Sequence, residues 1–459
     1  MSNFWDFEVW GFFSVLAVLL ASLLVANVMR KTIKPLKDSL IPTSVLGGAV
    51  LVLIAAIYKW ITGDVMFDTA FFGGNGTASL ELLTYHCLAL GFIAATFKPS
   101  QSKMTKKRTT EIFNTGVTTV ATYLLQAVCG MVIAFIATLV LKDFFVASGI
   151  LLPFGYGQGT GQALNYGGIY ENMGFEGGKS FGLTIAALGF ISASLGGVIY
   201  LTYLKRANRL PEQSNIREII RPEDIQGEDE IPMQESIDKF TVQLALIGVA
   251  YFLSYLMMYG LGLLLPGMRA VIYGFNFLLG VLAATLIKTT MNGLKKAGAI
   301  KREYVNSFLM TRASNFFYDL MVVAGIAAIR FGALKDFWGV ILIMGVVGLL
   351  VTYGYNMLVA KVLFRDYYQE QFLCMYGMLT GTASTGVILL REIDGNFATP
   401  ASDNLVYQNF PAMVFGFPLM LLATLAPEKP VLTLIILIAF FLVMNLILFR
   451  SFIFRRKKK

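Results

Sequence analysis

The chain has 459 residues, of which 56% are hydrophobic and only 14% are charged. Soluble domains carry about 25% charged residues, so this composition excludes an ordinary soluble domain and indicates a membrane protein. The net charge of +9 does not indicate nucleic acid as a partner, because the basic residues cluster in alternate loops between apolar stretches.

Eleven apolar stretches are long enough to cross a bilayer as helices. A span needs about 20 apolar residues, and in lipid every backbone polar group must be satisfied within the segment. In chain order the predicted spans are residues 9–29, 40–59, 80–97, 116–141, 180–204, 240–265, 268–287, 314–331, 337–360, 405–425 and 431–449. The sequence therefore predicts an all-α polytopic membrane protein.

Two further apolar segments, residues 144–165 and 371–391, are interrupted by glycine and hydroxyl residues. Each is predicted to enter and leave the membrane on the same side, as a re-entrant hairpin. With this assignment about thirty of the 37 Lys and Arg residues fall on one side, the bias expected of cytoplasmic loops. If either segment were a single crossing, all later loops would change sides and the bias would be lost. We therefore predict a cell (inner) membrane protein with its N-terminus outside and its C-terminus in the cytoplasm.

The charged linker of residues 206–239 divides the chain into two halves of the same plan. Residues 1–205 and 240–428 each hold five predicted spans, with one hairpin between the fourth and the fifth. Because the first half begins outside and the second inside, the halves are predicted to be inverted repeats, a common plan of secondary transporters. Residues 429–459 add an extra C-terminal span and a basic cytoplasmic tail.

The tips of the two hairpins are predicted to bind substrate and ion. The candidate residues are Gly157, Gln158, Gly159, Thr160, Gly161, Gly381, Thr382, Ser384 and Thr385. Opened backbone carbonyls and hydroxyls can coordinate a cation, and the N-terminus of a half-helix can face an anionic group. These features predict a site for sodium and a small carboxylate. The alternative is that both segments are glycine-rich helices that pack closely against their neighbours.

Ionisable residues inside predicted spans are candidates for function. Asp319, in the eighth predicted span, could ligate sodium together with Thr160 and Thr382, carry a proton, or form a structural pair with a basic residue. Arg391 closes the second hairpin and could clamp the substrate carboxylate or simply belong to the basic cytoplasmic loops.

Three further interior residues have both a functional and a packing interpretation. His86, the only histidine, could relay protons or could pack between helices near the outer boundary. Gln126 and Asn356 are uncharged, and they could line the site or form hydrogen bonds between helices.

Several short motifs occur in an order that is typical of one transporter family. They are Ile41-Pro42, Gly47-Gly48, Gly157-Gln158-Gly159-Thr160-Gly161, Gly196-Gly197 and Gly381-Thr382-Ala383-Ser384-Thr385. In these motifs the chain resembles the sodium/glutamate symporters. The family's Gly-Gly-His-Gly-Thr-Gly pattern stands here with Tyr156 and Gln158 in place of the first glycine and the histidine, and the second hairpin lacks the family's proline. The resemblance implies a homodimer in which a mobile domain carries the hairpins and moves glutamate, with sodium, in an elevator-like manner.

The residues and the resemblance together predict sodium-coupled symport of glutamate or a related small carboxylate. Proton coupling, or exchange of another organic anion, is the alternative within transport. A channel or a membrane scaffold is the alternative of another class, because a pore can also be lined by broken helices. No catalytic constellation is recognisable in the sequence, so we expect neither an enzyme nor an organic cofactor, and sodium is the expected coupling ion.

Overall fold

The computed structural model describes residues 3–38, 40–97, 105–142, 144–207, 225–227, 229–233, 236–266, 269–274, 276–334, 336–394 and 399–453. The longer helices are α1 (Phe7–Thr32), α2 (Thr43–Thr62), α3 (Gly76–Phe97), α4 (Lys106–Ala137), α5 (Leu151–Glu171), α6 (Gly178–Arg206), α7 (Lys239–Leu264), α8 (Asn276–Lys296), α9 (Ser307–Ala327), α10 (Trp338–Leu363), α11 (Tyr368–Thr380), α12 (Ala383–Arg391), α13 (Ala401–Tyr407), α14 (Asn409–Leu425) and α15 (Pro430–Leu448). Short helical segments are Lys34–Asp38, Met66–Asp68, Ala70–Phe72, Val146–Ile150, Arg269–Gly274, Phe331–Leu334, Arg365–Tyr367 and Arg450–Ile453.

Nine helices in the described part of the chain are long and apolar enough to cross a bilayer, namely α1, α2, α3, α4, α6, α7, α8, α10 and α15. A tenth candidate consists of α13 and the part of α14 from Pro411, which are bent by 51° relative to each other. The protein is therefore a polytopic, all-α, multi-pass membrane protein, and this part of the sequence prediction is confirmed.

Three of the differences between the structure and the predicted spans have a clear physical cause. The tenth predicted span is bent because Pro411 has no N–H to donate and its ring clashes with the preceding turn. The helix α8 continues to Lys296, beyond the predicted end at residue 287, whereas the predicted start at residue 268 and the residue between Gly274 and Asn276 lie outside the described residues. Lysine stems can lie along an apolar surface while their ammonium groups reach polar atoms. Lys288 does so, because its Nζ donates to the carbonyl oxygen of Thr96 at 3.1 Å.

The third difference concerns α9, which is not among the candidate spans in the described residues. It begins at Ser307 and ends at Ala327, whereas the predicted span was 314–331. Arg312, Asn315 and Asp319 all lie within it and lower its hydropathy. A helix of 21 residues is about 30 Å long, so α9 has the length of a span. Its crossing of the membrane stays a prediction.

The chain forms two compact units that interleave along the sequence. The first comprises Met1–Leu80, Met104–Ile216 and Gly325–Lys459, and the second comprises Glu81–Lys103 and Arg217–Ala324. Both interrupted segments lie in the first unit. These units reflect which residues contact each other, whereas the predicted repeats are defined by the order of spans along the chain. The division into two inverted repeats therefore stays a prediction.

The second unit packs α7, α8 and the greater parts of α3 and α9 around a small apolar core that includes Ile93, Phe97 and Met310. The end of the charged linker is held to this unit by Lys239, whose side chain is fully buried. The Nζ of Lys239 lies 2.6 Å from a carboxylate oxygen of Glu230, which also accepts from Asn306 at 2.7 Å. This ion pair joins Glu230 of the linker to the first residue of α7.

Candidate functional site

The first interrupted segment folds back on itself. The rings of Phe154 and Tyr166 are stacked with centroids 4.0 Å apart, and those of Phe145 and Tyr170 are 5.3 Å apart. In a continuous helix, residues twelve positions apart would be separated by about 18 Å along the axis. Residues 146–171 therefore form a hairpin with two helical arms, which we call the first hairpin.

Gly159 is the point at which the first hairpin turns. Its φ of 78° and ψ of −169° interrupt the helical backbone of α5. This region of φ and ψ is essentially restricted to glycine, because a Cβ atom would clash with the backbone. The glycine at this position thus determines where the chain reverses.

The second interrupted segment also folds back. A Cβ atom built on Gly377 of α11 would lie only 2.9 Å from the Cα of Gly386 in α12. The two helices are separated by Gly381 and Thr382, whose backbone is not helical. We call residues 368–391 the second hairpin. The chain thus reverses its direction at both interruptions predicted from the sequence. The second arm of the first hairpin extends to Glu171, beyond the predicted end at residue 165.

The long helix α6 contacts the two hairpins in succession. Gly182, in its first half, packs against Ala163 of the first hairpin, and Gly197, in its second half, packs against Leu389 of the second hairpin. The hydroxyl of Tyr376 in the second hairpin donates to the carbonyl oxygen of Ser192 at 2.7 Å. The hairpins therefore approach each other from opposite ends of the same helix.

The helix α10 shows the same succession. Gly348 packs against the ring of Tyr156 in the first hairpin. The ring of Tyr353 lies 5.0 Å from that of Phe372 and 5.4 Å from that of Tyr376 in the second hairpin. Two long helices of the first unit therefore run past both hairpins.

The two tips meet at the middle of this arrangement. A Cβ atom built on Gly159 would lie 3.4 Å from Cγ2 of Thr382 and 3.7 Å from the carbonyl oxygen of Gly381. Both of these contacts join the turn of one hairpin to the turn of the other. The structure thus brings together the two groups of residues that the sequence placed at the hairpin tips.

Gly189 of α6 lies beside this contact and leaves room for both tips. A Cβ atom at Gly189 would overlap the carbonyl oxygen of Thr380 in the second hairpin. It would also lie 3.2 Å from the Cα of Tyr156 in the first hairpin. A larger residue at this position would press against both hairpins at once.

One turn of α4 holds an arm of each hairpin just before its turn. The hydroxyl of Tyr123 donates to the carbonyl oxygen of Gly157 at 3.0 Å. The amide Nε2 of Gln126 donates to the carbonyl oxygen of Leu379 at 2.9 Å. These bonds satisfy two backbone carbonyls close to the interrupted helices, where the helical pattern ends.

The tips are uncharged and contain several polar groups. Thr160 and Thr385 are fully buried, whereas Gln158 and Thr382 are half-buried. The hydroxyl oxygens of Thr382 and Thr385 are 3.4 Å apart. Thr382 is the N-cap residue of α12, but its side chain makes no capping hydrogen bond. The N-terminus of α12, with its partial positive charge, therefore faces the contact between the tips.

The remaining predicted residues have different environments. Arg391 is exposed at the last position of α12, about 12 Å along the helix from Ala383. Asp319 lies on an exposed face of α9 in the second unit. The side chain of Ser384 lies outside the described part of the structure. Gly157 and Gly161 are buried in the arms next to the first turn.

Sequence reasoning did not identify Tyr123 or Gly189 as parts of the site, and it named Tyr156 only as a departure from the family's first-hairpin pattern. Tyr123 and Gly189 are common residues within apolar helices, and nothing in their local pattern distinguishes them from packing residues. His86 has a simple partner in the second unit, since its Nδ1 lies 2.6 Å from the hydroxyl of Tyr251. This contact is consistent with the packing interpretation of His86.

Comparisons with protein-family models and with curated proteins give no match for this chain.

Proposed function

We propose that this protein is a secondary transporter that moves a small carboxylate together with sodium, and that both hairpin tips form the transport site. The observation that carries the proposal is the contact between the two tips. A Cβ atom built on Gly159 would lie 3.4 Å from Cγ2 of Thr382. Broken helices that meet inside a polytopic helical protein are a recurrent way to build a substrate site in transporters.

The chemistry of the tips supports an anionic solute accompanied by a cation. The N-terminus of α12 lacks a side-chain cap and offers backbone amides to a carboxylate. The hydroxyls of Thr382 and Thr385 and the carbonyl oxygen of Gly381 offer neutral oxygen ligands, which suit an alkali cation. By its resemblance to the sodium/glutamate symporters, the solute is glutamate or a related small carboxylate.

The proposed mechanism is alternating access. We place both segments as re-entrant hairpins that enter from opposite sides of the membrane, with the N-terminus outside and the C-terminus in the cytoplasm, as the loop charges favour. An elevator-like movement requires that both hairpins move as one body, and both lie in the same compact unit. A homodimer and two inverted repeats belong to this proposal through the family resemblance.

The test is uptake of labelled glutamate into proteoliposomes under an inward sodium gradient, an inward proton gradient, or no gradient. Thr382→Val removes one tip hydroxyl without changing side-chain size. Thr138→Val is the matched control, since the Thr138 hydroxyl only donates to the carbonyl oxygen of Phe135 near the end of α4. We expect sodium-driven accumulation that Thr382→Val reduces and Thr138→Val does not.

Accumulation of other carboxylates but not of glutamate would retain the transport site and reject the substrate. Accumulation driven only by protons would reject sodium as the coupling ion. Ion leakage without saturable uptake would reject the transporter itself in favour of a channel.

A further inference from the structure

A cavity of about 450 Å³ lies in the second unit, which contains neither hairpin. It is lined by Tyr255, Tyr259, Arg269 and Tyr273, and we call it the tyrosine pocket. The first two residues belong to α7, and the other two belong to the short helical segment that follows it. Ligand pockets usually have volumes of about 300–1,000 Å³, so this cavity is large enough to hold a small polar group.

Hydrogen bonds fix the walls of the tyrosine pocket. The hydroxyl of Tyr85 in α3 donates to the carbonyl oxygen of Tyr273 at 2.6 Å. The hydroxyl of Ser254 in α7 donates to the carbonyl oxygen of Asn276, at the start of α8, at 3.2 Å. The segment that carries Arg269 is therefore tied to the helices on both sides of it, and the pocket is formed before any ligand enters.

The side chain of Arg269 is held at its inner nitrogen. Its Nε donates to the carbonyl oxygen of Gly262 at 3.2 Å. Gly262 leaves room for this side chain, since a Cβ atom built there would lie 3.3 Å from Cγ of Arg269 and 3.6 Å from the ring of Tyr273. A guanidinium carries five N–H donors, so this bond leaves the four donors of the two Nη atoms for a ligand.

Arg269 is an exposed positive charge in an apolar stretch. It is the only charged residue in the range 240–287. The ion pairs in the described part of the second unit involve Lys239 and Lys295, and not Arg269. The planar fork of a guanidinium matches the oxygens of a phosphate or carboxylate group. The tyrosine pocket is therefore suited to an anionic ligand.

An aromatic row on α7 continues from the tyrosine pocket. The ring of Tyr255 lies 6.4 Å from that of Tyr259 and 6.4 Å from that of Phe252, and all three side chains are exposed. Because α7 is a candidate span, this row faces lipid when the helix lies in a bilayer. A soluble anion would contact the guanidinium and leave the row uncovered, whereas a phospholipid covers both with its phosphate and an acyl chain.

The depth of the tyrosine pocket agrees with a lipid headgroup. Tyr259 lies five residues before the last residue of α7, which is about 8 Å along the helix axis. Tyrosine is enriched at the level of the headgroups, because its ring is apolar and its hydroxyl is polar. The phenols and the guanidinium thus stand where a bilayer places its phosphate groups.

We propose that the tyrosine pocket binds a phospholipid, with its phosphate on Arg269 and an acyl chain along Phe252. On the proposed topology α7 ends outside, so the lipid belongs to the outer leaflet. The site lies within the second unit, and the proposal does not depend on the transport function proposed above.

The experiment is native mass spectrometry of the purified full-length protein after lipid has been removed by washing in detergent. The probe is dioleoyl phosphatidylglycerol, and the fraction of protein that carries one lipid is measured as the lipid concentration rises. Arg269→Gln removes the guanidinium and keeps a polar side chain. We expect it to raise the half-saturating lipid concentration by about tenfold or more, which is what a hydrogen bond to a charged group is worth.

Arg206→Gln is the matched control, because Arg206 is an exposed arginine at the end of another membrane helix, α6, and does not line the tyrosine pocket. This variant should bind the lipid like the wild type. Tyr259→Leu serves if Arg269→Gln does not fold, and Tyr203→Leu, at an exposed tyrosine of α6, is its control. Tyr259→Leu should weaken binding by about threefold or more, and Tyr203→Leu should not.

Two further ligands identify which part of the lipid is recognised. Dioleoylglycerol has the acyl chains without the phosphate, and glycerol 1-phosphate has the phosphate without the acyl chains. We expect both to bind far more weakly than phosphatidylglycerol.

The proposal is overturned if the wild type does not bind phosphatidylglycerol, or if the Arg269 and Arg206 variants bind it equally. Equally tight binding of dioleoylglycerol would also overturn it, because the phosphate would then not be recognised. Equally tight binding of glycerol 1-phosphate would make the pocket a site for a soluble anion and would overturn it as well.

Discussion

Replacing Gly189 by alanine tests whether the contact between the hairpin tips depends on the space beside α6. The new methyl group would lie 3.2 Å from the Cα of Tyr156 and would overlap the carbonyl oxygen of Thr380. Carbon atoms in contact are normally about 3.5–4.0 Å apart, so both hairpins would have to shift. Overpacking of this kind costs about 1–3 kcal/mol of folding free energy.

Gly354→Ala provides the reference for this variant. Gly354 lies on α10, where it is exposed and no atom lies within 4 Å of a Cβ built on it. Both substitutions gain the higher helix propensity of alanine, about 1 kcal/mol. The difference between the two variants therefore isolates the clash, and we expect Gly189→Ala to be less stable than Gly354→Ala by about 1–3 kcal/mol.

The assay is chemical unfolding in detergent micelles, combined with the initial rate of uptake in proteoliposomes. Gly189→Ala should lower both the free energy of unfolding and the uptake rate, while Gly354→Ala should leave uptake unchanged. Equal stabilities and equal uptake rates for the two variants would refute the reasoning that the tips are pressed against Gly189.

Three further outcomes follow from single contacts. Gly159→Ala forces a side chain into a glycine-only backbone conformation, so unfolding in micelles should show a loss of about 1–3 kcal/mol, together with reduced uptake. Gln126→Leu leaves the carbonyl oxygen of Leu379 without its donor, so the same assay should show a free energy of unfolding lower by about 1–3 kcal/mol. An unchanged denaturant midpoint would contradict this expectation. Lys239→Met removes the partner of Glu230 and should cost about 3 kcal/mol, and adding Glu230→Gln should recover part of that loss, whereas no recovery would indicate that packing rather than charge dominates.

The helices could be predicted from the sequence because hydropathy and length are sufficient in lipid. The ends of the helices were less predictable. The helix α8 continues past Lys288 because backbone hydrogen bonding does not require an apolar side chain, and hydropathy does not record this. The bend at Pro411 was also not predictable. Proline bends a helix that continues on both sides of it, but it is tolerated in the first turn of a new helix, and hydropathy does not distinguish these cases.

The positions of the hairpins and their tips were also predictable, because a high density of glycine and hydroxyl residues is unfavourable for a straight helix. The partners of the tips were not. Gly189 and Tyr123 become part of the site only through the packing of α6 and α4, which involves residues distant in the chain. Gln126 and Asn356 were recognisable as interior polar residues, but the carbonyl oxygens that their nitrogens contact were not.

The contact between Gly159 and Thr382 has an electrical consequence. On the proposed placement, each hairpin admits water to about mid-membrane from its own side, and the insulating layer between the two solutions narrows to the two tips. The transmembrane voltage then falls over this short distance instead of over about 30 Å of hydrocarbon. Moving one elementary charge across the full potential is worth about 2.3 kcal/mol per 100 mV. A charged solute or ion that moves a short distance past the two tips would therefore cross most of the membrane potential.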